Sequence, residues 1–277
     1  MMVNRKKNRR HVDGKNPANG IASDDNPVAS SGKVTGRPRR ALEQFRTRLE
    51  SSREFCLKHQ RPFITVSYAQ SVDGSIANRN RQQLRLSGPQ SMTLTHNLRA
   101  SCDAILIGIG TLLADDPQLT VRLVDGKNPQ PIVLDTRLRT PLTARLLQRS
   151  DRSPWIINGP QTPHEKARRL AEAGATPLSC ATGADGKIDL PALMLLLFKR
   201  NIHSVMVEGG AQVITSFVNL RLLDQLIITV APKMVGGLPV IDTERFRMSC
   251  RFRLNNVNYQ LLGEDLVVWA QPSWESE

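Results

Sequence analysis

Residues 103–110 read DAILIGIG, a continuous apolar run that ends in alternating glycines. A run of this kind is typical of a strand that is covered on both faces, as in a parallel sheet. PIVLD (131–135) and PWIIN (154–158) repeat the pattern, and polar or helical sequence follows each of them. Strands that alternate with helices need crossover connections, so the sequence predicts an α/β fold with a largely parallel sheet.

Further elements extend this alternation along the chain. FITVSYA (63–69) is rich in β-branched and aromatic residues, and HSVMVEGG (203–210) is a second apolar run, so both are predicted strands. QLIITVAPK (225–233) and DLVVWAQ (265–271) lack obvious intervening long helices, and we expect them to add antiparallel strands at an edge. The predicted helices span 89–101, 164–174, 189–200 and 211–218.

The composition is that of a folded α/β protein. Of the 277 residues, 40% are hydrophobic, 23% are charged and 4% are aromatic, which excludes a mini-protein and a chain that is disordered throughout. The longest nearly apolar runs, at 104–114 and 192–198, are shorter than the ~18–20 residues that cross a bilayer. We therefore predict no membrane span, and because the N-terminal region has no apolar signal stretch we expect a cytoplasmic location.

The first 40 residues carry ten Lys or Arg against three Asp, which is +7 of the net charge of +13. They hold few large apolar residues, so we predict a disordered basic tail over 1–40. Leu42, Phe45, Leu49 and Phe55 recur at helical intervals, which predicts an amphipathic helix and linker over 41–60, before a main domain over 61–277. A basic tail also suits a nucleic-acid or other anionic partner. It lacks interleaved aromatic residues and a folded recognition module, so we favour a solvated tail.

The cysteines and histidines show no metal-binding pattern. The cysteines at 56, 102, 180 and 250 form no C-x-x-C pair, and the five histidines form no pair four residues apart. Ligand spacing therefore predicts no metal site, and the cysteines are predicted to be reduced and buried. The chemistry should use an organic cofactor or side chains alone.

Two predicted strand ends are rich in glycine, and ligands bind beyond the carboxyl ends of strands in open α/β sheets. The first reads Gly108-Ile109-Gly110-Thr111, and the second reads Glu208-Gly209-Gly210 before the 211–218 helix. The first turn of that helix offers free amides to a phosphate or pyrophosphate. Glycines at such junctions also serve as tight turns alone. Neither stretch is G-x-G-x-x-G, so a dinucleotide would need another geometry.

Charged residues near these strand ends are candidates for binding. Asp115-Asp116-Pro117 is either a pair of binding carboxylates or a helix-ending turn, and the turn is favoured. Glu208 directly follows an apolar strand, where an unpaired buried carboxylate is costly, so binding sugar hydroxyls in a cleft is the better interpretation. Arg99 suits a helix C-terminus and Arg122 an exposed strand, but a phosphorylated substrate needs such guanidinium donors.

A series of motifs resembles the riboflavin-biosynthesis pyrimidine reductases, in the same order, from about residue 61 to residue 237. The motifs are SVDGSIA (71–77), LSGPQ followed by LRA (86–100), AILIGIGTLLADDPQLTVR (104–122), PIVLDTRLRTPLTARLL (131–147), VMVEGGAQVITSF (205–217) and APKMVGG (231–237). The resemblance implies a dihydrofolate-reductase-like fold: a mostly parallel mixed sheet flanked by helices, with antiparallel C-terminal edge strands. It also implies a homodimer. Bacterial members often carry a zinc deaminase domain with an H-x-E…P-C-x-x-C signature before the reductase, and nothing like this signature precedes residue 61. We therefore expect a stand-alone reductase, either of the archaeal and fungal type or a free-standing bacterial form.

The same resemblance implies the reaction and the site. Such reductases use NADPH to convert a ribosylaminopyrimidine 5′-phosphate to the ribitylamino compound. We expect the sugar to open to an imine that receives the hydride at C1′, with Glu208 or Asp115 stabilising the positive charge. The implied substrate-binding residues are Arg99, Leu119, Arg122 and Glu208. The implied cofactor-binding residues are Ala69, Thr111, Asp115, Gly209, Gly210, Ala211, Gln212, Val213, Ile214, Thr215 and Ser216.

Three positions depart from the pattern of many bacterial members. Ser67 and Ser75 stand where those members have Lys. Arg85 stands where they have Trp, and an Arg at this position resembles archaeal members. The departures leave open whether the substrate is the deaminated or the amino pyrimidine. They also leave room for an NADPH-dependent reductase of a pteridine or another heterocycle.

Overall fold

A computed structural model of the chain describes residues 38–80, 82, 84–247 and 252–274. Its helices are α1 Pro38–Glu50, α2 Ser52–His59, α3 Pro89–Ser101, α4 Ile109–Asp115, α5 His164–Glu172, α6 Leu190–Lys199 and α7 Ala211–Asn219. Its strands are β1 Phe63–Ser71, β2 Ser75–Ala77, β3 Ala104–Gly108, β4 Gln130–Leu134, β5 Trp155–Asn158, β6 Thr176–Ser179, β7 Ser204–Val207, β8 Gln225–Ala231, β9 Leu238–Pro239, β10 Phe252–Leu262 and β11 Asp265–Trp274.

Within the described residues, nine strands form one sheet in the order β10-β11-β8-β1-β7-β3-β4-β5-β6. All pairs from β8 to β6 are parallel, whereas β11 runs antiparallel to β8 and β10 antiparallel to β11. Strands β2 and β9 form a separate antiparallel pair. The predicted fold class, a mostly parallel mixed sheet flanked by helices with antiparallel C-terminal strands, is therefore confirmed.

The direction predicted for β8 is wrong. The strand pairs in parallel with β1, from Thr65 beside Gln225 to Ser71 beside Ala231, and it lies inside the sheet. The connection between β7 and β8 covers residues 208–224 and contains the short helix α7, so it is long enough for a parallel crossover although the sequence shows no long helix there. The edge is formed instead by β10, which the sequence analysis did not identify.

The N-terminal prediction is partly outside the described residues. Most of the proposed 1–40 tail lies there, but residues 38–40 begin α1, since proline suits the first helical turn. The helix expected over 41–60 is two helices, separated at Ser51. Cys56, Cys102 and Cys180 are buried free thiols, and Cys250 lies outside the described residues.

The central strands are covered on both faces, as the apolar runs predict. On β3, Ala104 and Leu106 belong to one hydrophobic cluster, while Ile105 and Ile107 belong to another. Helices α6 and α7 contribute Leu193 and other residues to the first cluster, and α4 and α5 contribute to the second. In the portion that the structure describes, no helix is long and apolar enough to cross a membrane.

Candidate active site

The two glycine stretches lie side by side at the carboxyl edge of the sheet. Strands β3 and β7 are parallel neighbours, with Leu106 beside Val207. Strand β3 ends at Gly108 rather than at 110 as predicted, because α4 begins at Ile109, and β7 ends at Val207 rather than at 210. Gly110 and Thr111 therefore belong to the first turn of α4, and only 208–210 form an extended loop.

These glycines permit a close approach between helix and strand. Gly108 and Gly210 are the N-caps of α4 and α7, with negative φ angles of −90° and −73°, so neither is needed for an unusual backbone conformation. A Cβ at Gly108 would lie 2.7 Å from Cγ2 of Val213, and one at Gly209 would lie 2.6 Å from its Cβ. A Cβ at Gly210 would lie 3.6 Å from the Thr111 hydroxyl, so the first turns of α4 and α7 are close to each other.

Only part of the 211–216 stretch faces the open edge. Ile214 and Thr215 are 1% exposed, and the Thr215 hydroxyl accepts a hydrogen bond from the Asp242 amide at 2.8 Å. Val213 packs against the glycines, and the Ser216 hydroxyl donates to the Gln212 carbonyl. The Val213 amide donates to the Gly210 carbonyl at 3.0 Å, so the backbone groups of the first turn that remain for a ligand are the Ala211 and Gln212 amides.

Arg99 and Glu208 form a two-pronged ion pair beside these turns. The Arg99 Nε donates to Glu208 Oε1 at 2.7 Å, and Nη2 donates to Oε2 at 2.6 Å. Burial opposes the charge of Arg99, but the adjacent Glu208 carboxylate raises the pKa of the guanidinium overall. Arg99 thus does more than suit a helix end, and Glu208 is not an uncompensated buried charge. Each carboxylate oxygen keeps a second acceptor position, which suits a hydroxyl.

The remaining predicted substrate residues, Leu119 and Arg122, follow α4. Leu119 is 2% exposed and has a left-handed φ of 53°. Arg99 Nη1 donates to the Thr120 carbonyl at 3.1 Å, which ties this stretch to the ion pair. Arg122 is an exposed residue. Partial desolvation of its guanidinium, followed by the positive charges of Arg99 and Arg145, lowers its pKa. The arginines create a positive region that favours an anion.

The two aspartates of the DDP motif have different roles. Asp116 caps α4 in a left-handed conformation, with a φ of 40°, and its carboxylate accepts a bond from the Arg145 amide at 2.9 Å. Asp115 has a buried Oδ1 with no hydrogen-bond partner among the described residues. Burial raises the pKa of Asp115. The favoured helix-ending turn is correct for Asp116, while Asp115 is left as an unpaired carboxylate near the first glycine turn.

A hydrogen-bonded cluster around Asp73, here called the clip, follows the carboxyl ends of β1 and β8 and lies at this edge of the sheet. Asp73 accepts bonds from the Ser71 and Ser75 hydroxyls at 2.5 and 2.8 Å, and from the Val235 and Gly236 amides at 3.0 and 2.7 Å. These four donors hold the pKa of Asp73 well below its usual range, the Ser71 hydroxyl having the largest effect. The clip joins the 71–77 turn to the 231–237 motif.

Ala69 and the departures from the family pattern lie near the clip. Ala69 is next to Thr229 of β8, two residues before β1 ends. Ser75 is buried and bonded to Asp73 and to the Gly237 amide, so a structural contact occupies it. Ser67 is buried in β1, and the Arg85 carbonyl accepts a bond from Lys233 at 2.5 Å.

Sequence reasoning missed His96, which is fully buried on α3. Its Nδ1 accepts a hydrogen bond from the Arg122 amide at 2.9 Å. The available signal was its position three residues before Arg99, because residues three apart lie on the same face of a helix. His96 was considered only as a metal ligand, and no group of three or more potential ligand side chains in the described part of the chain could hold a metal ion.

Comparisons with known proteins give this site a family context. The chain is 36% identical over 224 residues to the 2,5-diamino-6-ribosylamino-4(3H)-pyrimidinone 5′-phosphate reductase of Archaeoglobus fulgidus, covering 76% of this chain and 98% of that protein. The protein with the same name from Methanothermobacter thermautotrophicus is 34% identical, with 75% and 97% covered.

Solved structures agree with these relatives. RibD of Acinetobacter baumannii gives a TM-score of 0.68 at 25% identity, covering 79% of this chain and 60% of that one. The riboflavin biosynthesis reductase Rib7 of Saccharomyces cerevisiae gives 0.62 at 28% identity, covering 77% and 91%. Residues 62–268 match the sequence model of the RibD C-terminal domain. Since this match covers more than half of the chain and every element that carries the site, the chain belongs to the RibD C-terminal domain family.

Proposed function

We propose that the chain is an NADPH-dependent reductase that converts a ribosylaminopyrimidine 5′-phosphate to its ribitylamino product in riboflavin biosynthesis. The observation that carries the proposal is the Arg99–Glu208 ion pair at the same sheet edge as the paired glycine turns. It places guanidinium and carboxylate groups, which suit a sugar phosphate, beside a helix N-terminus, which suits a dinucleotide phosphate. The named activities of the relatives supply the reaction class.

The residues present fit a nicotinamide dinucleotide. A Cβ at Gly210 would meet only the Thr111 Oγ1, at 3.6 Å, and the Ala211 and Gln212 amides of the first turn of α7 can donate to a phosphate. The unpaired Oδ1 of Asp115 can accept a bond from a ligand hydroxyl or amide. When bound, the reduced nicotinamide supplies the hydride. The chain's own contribution is to align the two ligands and to exclude water from between them.

The substrate is divided between charged groups of the chain. We assign the 5′-phosphate to Arg122, whose side chain is exposed, and the sugar hydroxyls to the free acceptor positions of Glu208. Because Arg99 neutralises Glu208, Glu208 is less suited than Asp115 to stabilise the positive charge of an open-chain imine. We further propose the diamino form of the pyrimidine as the substrate and a homodimer as the active assembly.

One assay tests the proposed function. NADPH oxidation should be followed with the diamino ribosylaminopyrimidine 5′-phosphate, with its deaminated counterpart and with the dephosphorylated diamino compound. We expect turnover with the first, slower turnover with the second and a much higher KM with the third. The absence of turnover with every compound would overturn the proposal, whereas faster turnover of the deaminated compound would overturn only the substrate assignment.

Asp115→Asn should separate binding from stability. The substitution removes a desolvated charge that has no partner in the free protein, so we expect a higher melting temperature. The same change should weaken NADPH binding about tenfold, since one charge-assisted hydrogen bond to the ligand is lost. Thermal unfolding and fluorescence titration measure the two effects. A lower melting temperature together with unchanged NADPH affinity would show that Asp115 has only a structural role.

Arg122→Ala should act on the substrate and not on the cofactor. Loss of one phosphate contact is expected to raise KM for the phosphorylated substrate by about 10–100-fold. KM for NADPH should change less than twofold, because Arg122 lies with Arg99 and Thr120 on the substrate side. Steady-state kinetics with each ligand varied in turn provides the measurement, and equal increases in both KM values would contradict the assignment.

A further inference from the structure

The residues at 118–122, here called the phosphate segment, have no regular secondary structure. Because the phosphate segment is not part of a strand, its backbone groups bond to side chains from other parts of the chain rather than to a neighbouring strand. Two arginines donate to its carbonyls: Arg149 Nη1 to Gln118 and Leu119 at 3.2 and 3.3 Å, and Arg99 Nη1 to Thr120 at 3.1 Å. Two side chains accept from its amides: Asn128 Oδ1 from Val121 at 2.6 Å, and His96 Nδ1 from Arg122 at 2.9 Å.

His96 can hold Arg122 only as a neutral imidazole. An Nδ1 that accepts a bond carries no proton, so the proton is on Nε2. Burial first, and then the positive charges of Arg99 and Arg122, lower the pKa of His96 to about 4, against the opposing charge of Glu208. The ring therefore remains a hydrogen-bond acceptor at neutral pH. Its Nε2 is buried and has no partner among the residues described.

The bond from His96 lies where the fixed segment ends. Residues 123–126 form bends, and Leu123 and Asp125 are exposed. Without an anchor at its amide, Arg122 would begin this surface loop. His96 and Arg99 share one face of α3, so a single rigid helix sets both the ion pair with Glu208 and the backbone position of Arg122.

We propose that His96 is a positioning residue for substrate phosphate. Its neutral ring fixes the backbone of Arg122 and thereby the direction from which the Arg122 guanidinium meets the phosphate. The inference rests on the proposed function in one respect, namely that Arg122 binds the phosphate group. It goes further because it assigns phosphate affinity to a buried side chain that does not contact the substrate.

Two substitutions test this role. His96→Asn retains a side-chain oxygen near the position of Nδ1, whereas His96→Leu retains bulk without an acceptor. We expect His96→Leu to raise KM for the phosphorylated substrate about tenfold, the effect of one misplaced contact, with kcat and KM for NADPH within about twofold. His96→Asn should restore KM to within about threefold of the wild type. KM for the dephosphorylated substrate should be the same in all variants.

Asn97→Ala is the matched control, because Asn97 is on the same helix and bonds Arg46 and the Thr93 carbonyl instead of the phosphate segment. It should leave all kinetic constants unchanged. If His96→Leu lowers kcat and raises both KM values together, or if His96→Asn rescues nothing, His96 has only a structural role and the proposal is overturned.

Two further measurements do not depend on turnover, and the first of them uses only the wild-type protein. Long-range proton–nitrogen NMR of the wild-type protein should show His96 as the neutral Nε2–H tautomer at pH 6, and an Nδ1–H tautomer would overturn the proposal. Calorimetry with ribose 5-phosphate as the probe should show weaker binding to His96→Leu than to His96→Asn. If the wild type binds this probe but has no NADPH-dependent turnover, the proposed function fails while the role of His96 is still tested.

Discussion

Arg99→Met is expected to lower the free energy of unfolding by about 3 kcal/mol, because it leaves the Glu208 carboxylate largely buried without its partner. It also removes the donor to the Thr120 carbonyl, so the backbone next to Arg122 loses its support. Turnover should fall by at least about 100-fold, since sugar and phosphate are both misplaced. Urea denaturation and steady-state kinetics measure the two effects.

A second buried ion pair supplies the control. Arg61 and Asp224 form a similar two-pronged pair, at 2.7 and 2.8 Å, just before β1 and β8 begin and thus at the opposite edge of the sheet. Arg61→Met should cost about as much stability as Arg99→Met. Its kcat per folded molecule should stay at the wild-type value. If both variants lose activity in proportion to stability, the Arg99–Glu208 pair has no special role in the reaction.

Gly237→Ala is expected to separate the 71–77 turn from the 231–237 segment and so to disrupt the clip. A Cβ at Gly237 would lie only 1.9 Å from the Ala77 carbonyl oxygen, which is backbone and cannot rotate away. The β2–β9 pairing would have to open, together with the bond from the Gly237 amide to Ser75 at 2.8 Å. We expect a loss of about 3 kcal/mol in stability and of at least about tenfold in NADPH affinity.

Gly183→Ala adds the same methyl group at a remote turn, where its nearest neighbour would be Asp185 Oδ1 at an ordinary 3.4 Å. This control should change stability by less than about 1 kcal/mol and leave NADPH affinity unchanged. Thermal unfolding and fluorescence titration of both variants are sufficient. Wild-type NADPH affinity in Gly237→Ala would show that the clip does not support the binding of the cofactor.

The sequence predicted the centre of the fold better than its edges. Strands β3, β4 and β5 were recognisable because burial on both faces makes them continuous apolar runs. Strand β10 was missed since only Gln260 among its residues is buried, which leaves no clear pattern. The direction of β8 was mistaken because no long helix precedes it, although residues 208–224, which contain the short helix α7, are long enough for a parallel crossover.

Within the site, the motifs located the residues but not their partners. Arg99 and Glu208 were each predicted to bind substrate, but their ion pair joins residues 109 positions apart. The pair forms because β3 and β7 are adjacent in the sheet, which no local sequence pattern reveals. The only signal for His96 was its position three residues before Arg99, because its own bond is to a backbone amide, which no sequence pattern reveals. Asp73 lies inside the SVDGSIA motif, but its bonds reach across 162 and 163 positions to another loop, which the motif does not reveal.

The Val213 side chain contacts both glycine turns and therefore restricts which substitutions either turn can accept. Its side chain occupies the space next to both Gly108 and Gly209, so neither glycine can gain a methyl group while the valine stays. Alanine at position 108 should become acceptable when residue 213 loses its methyl groups, whereas alanine at position 209 would still meet the Cβ of residue 213 and requires glycine there. Positions 108, 209 and 213 should therefore vary together across natural variants, and attempts to reshape the pocket must replace them as a set.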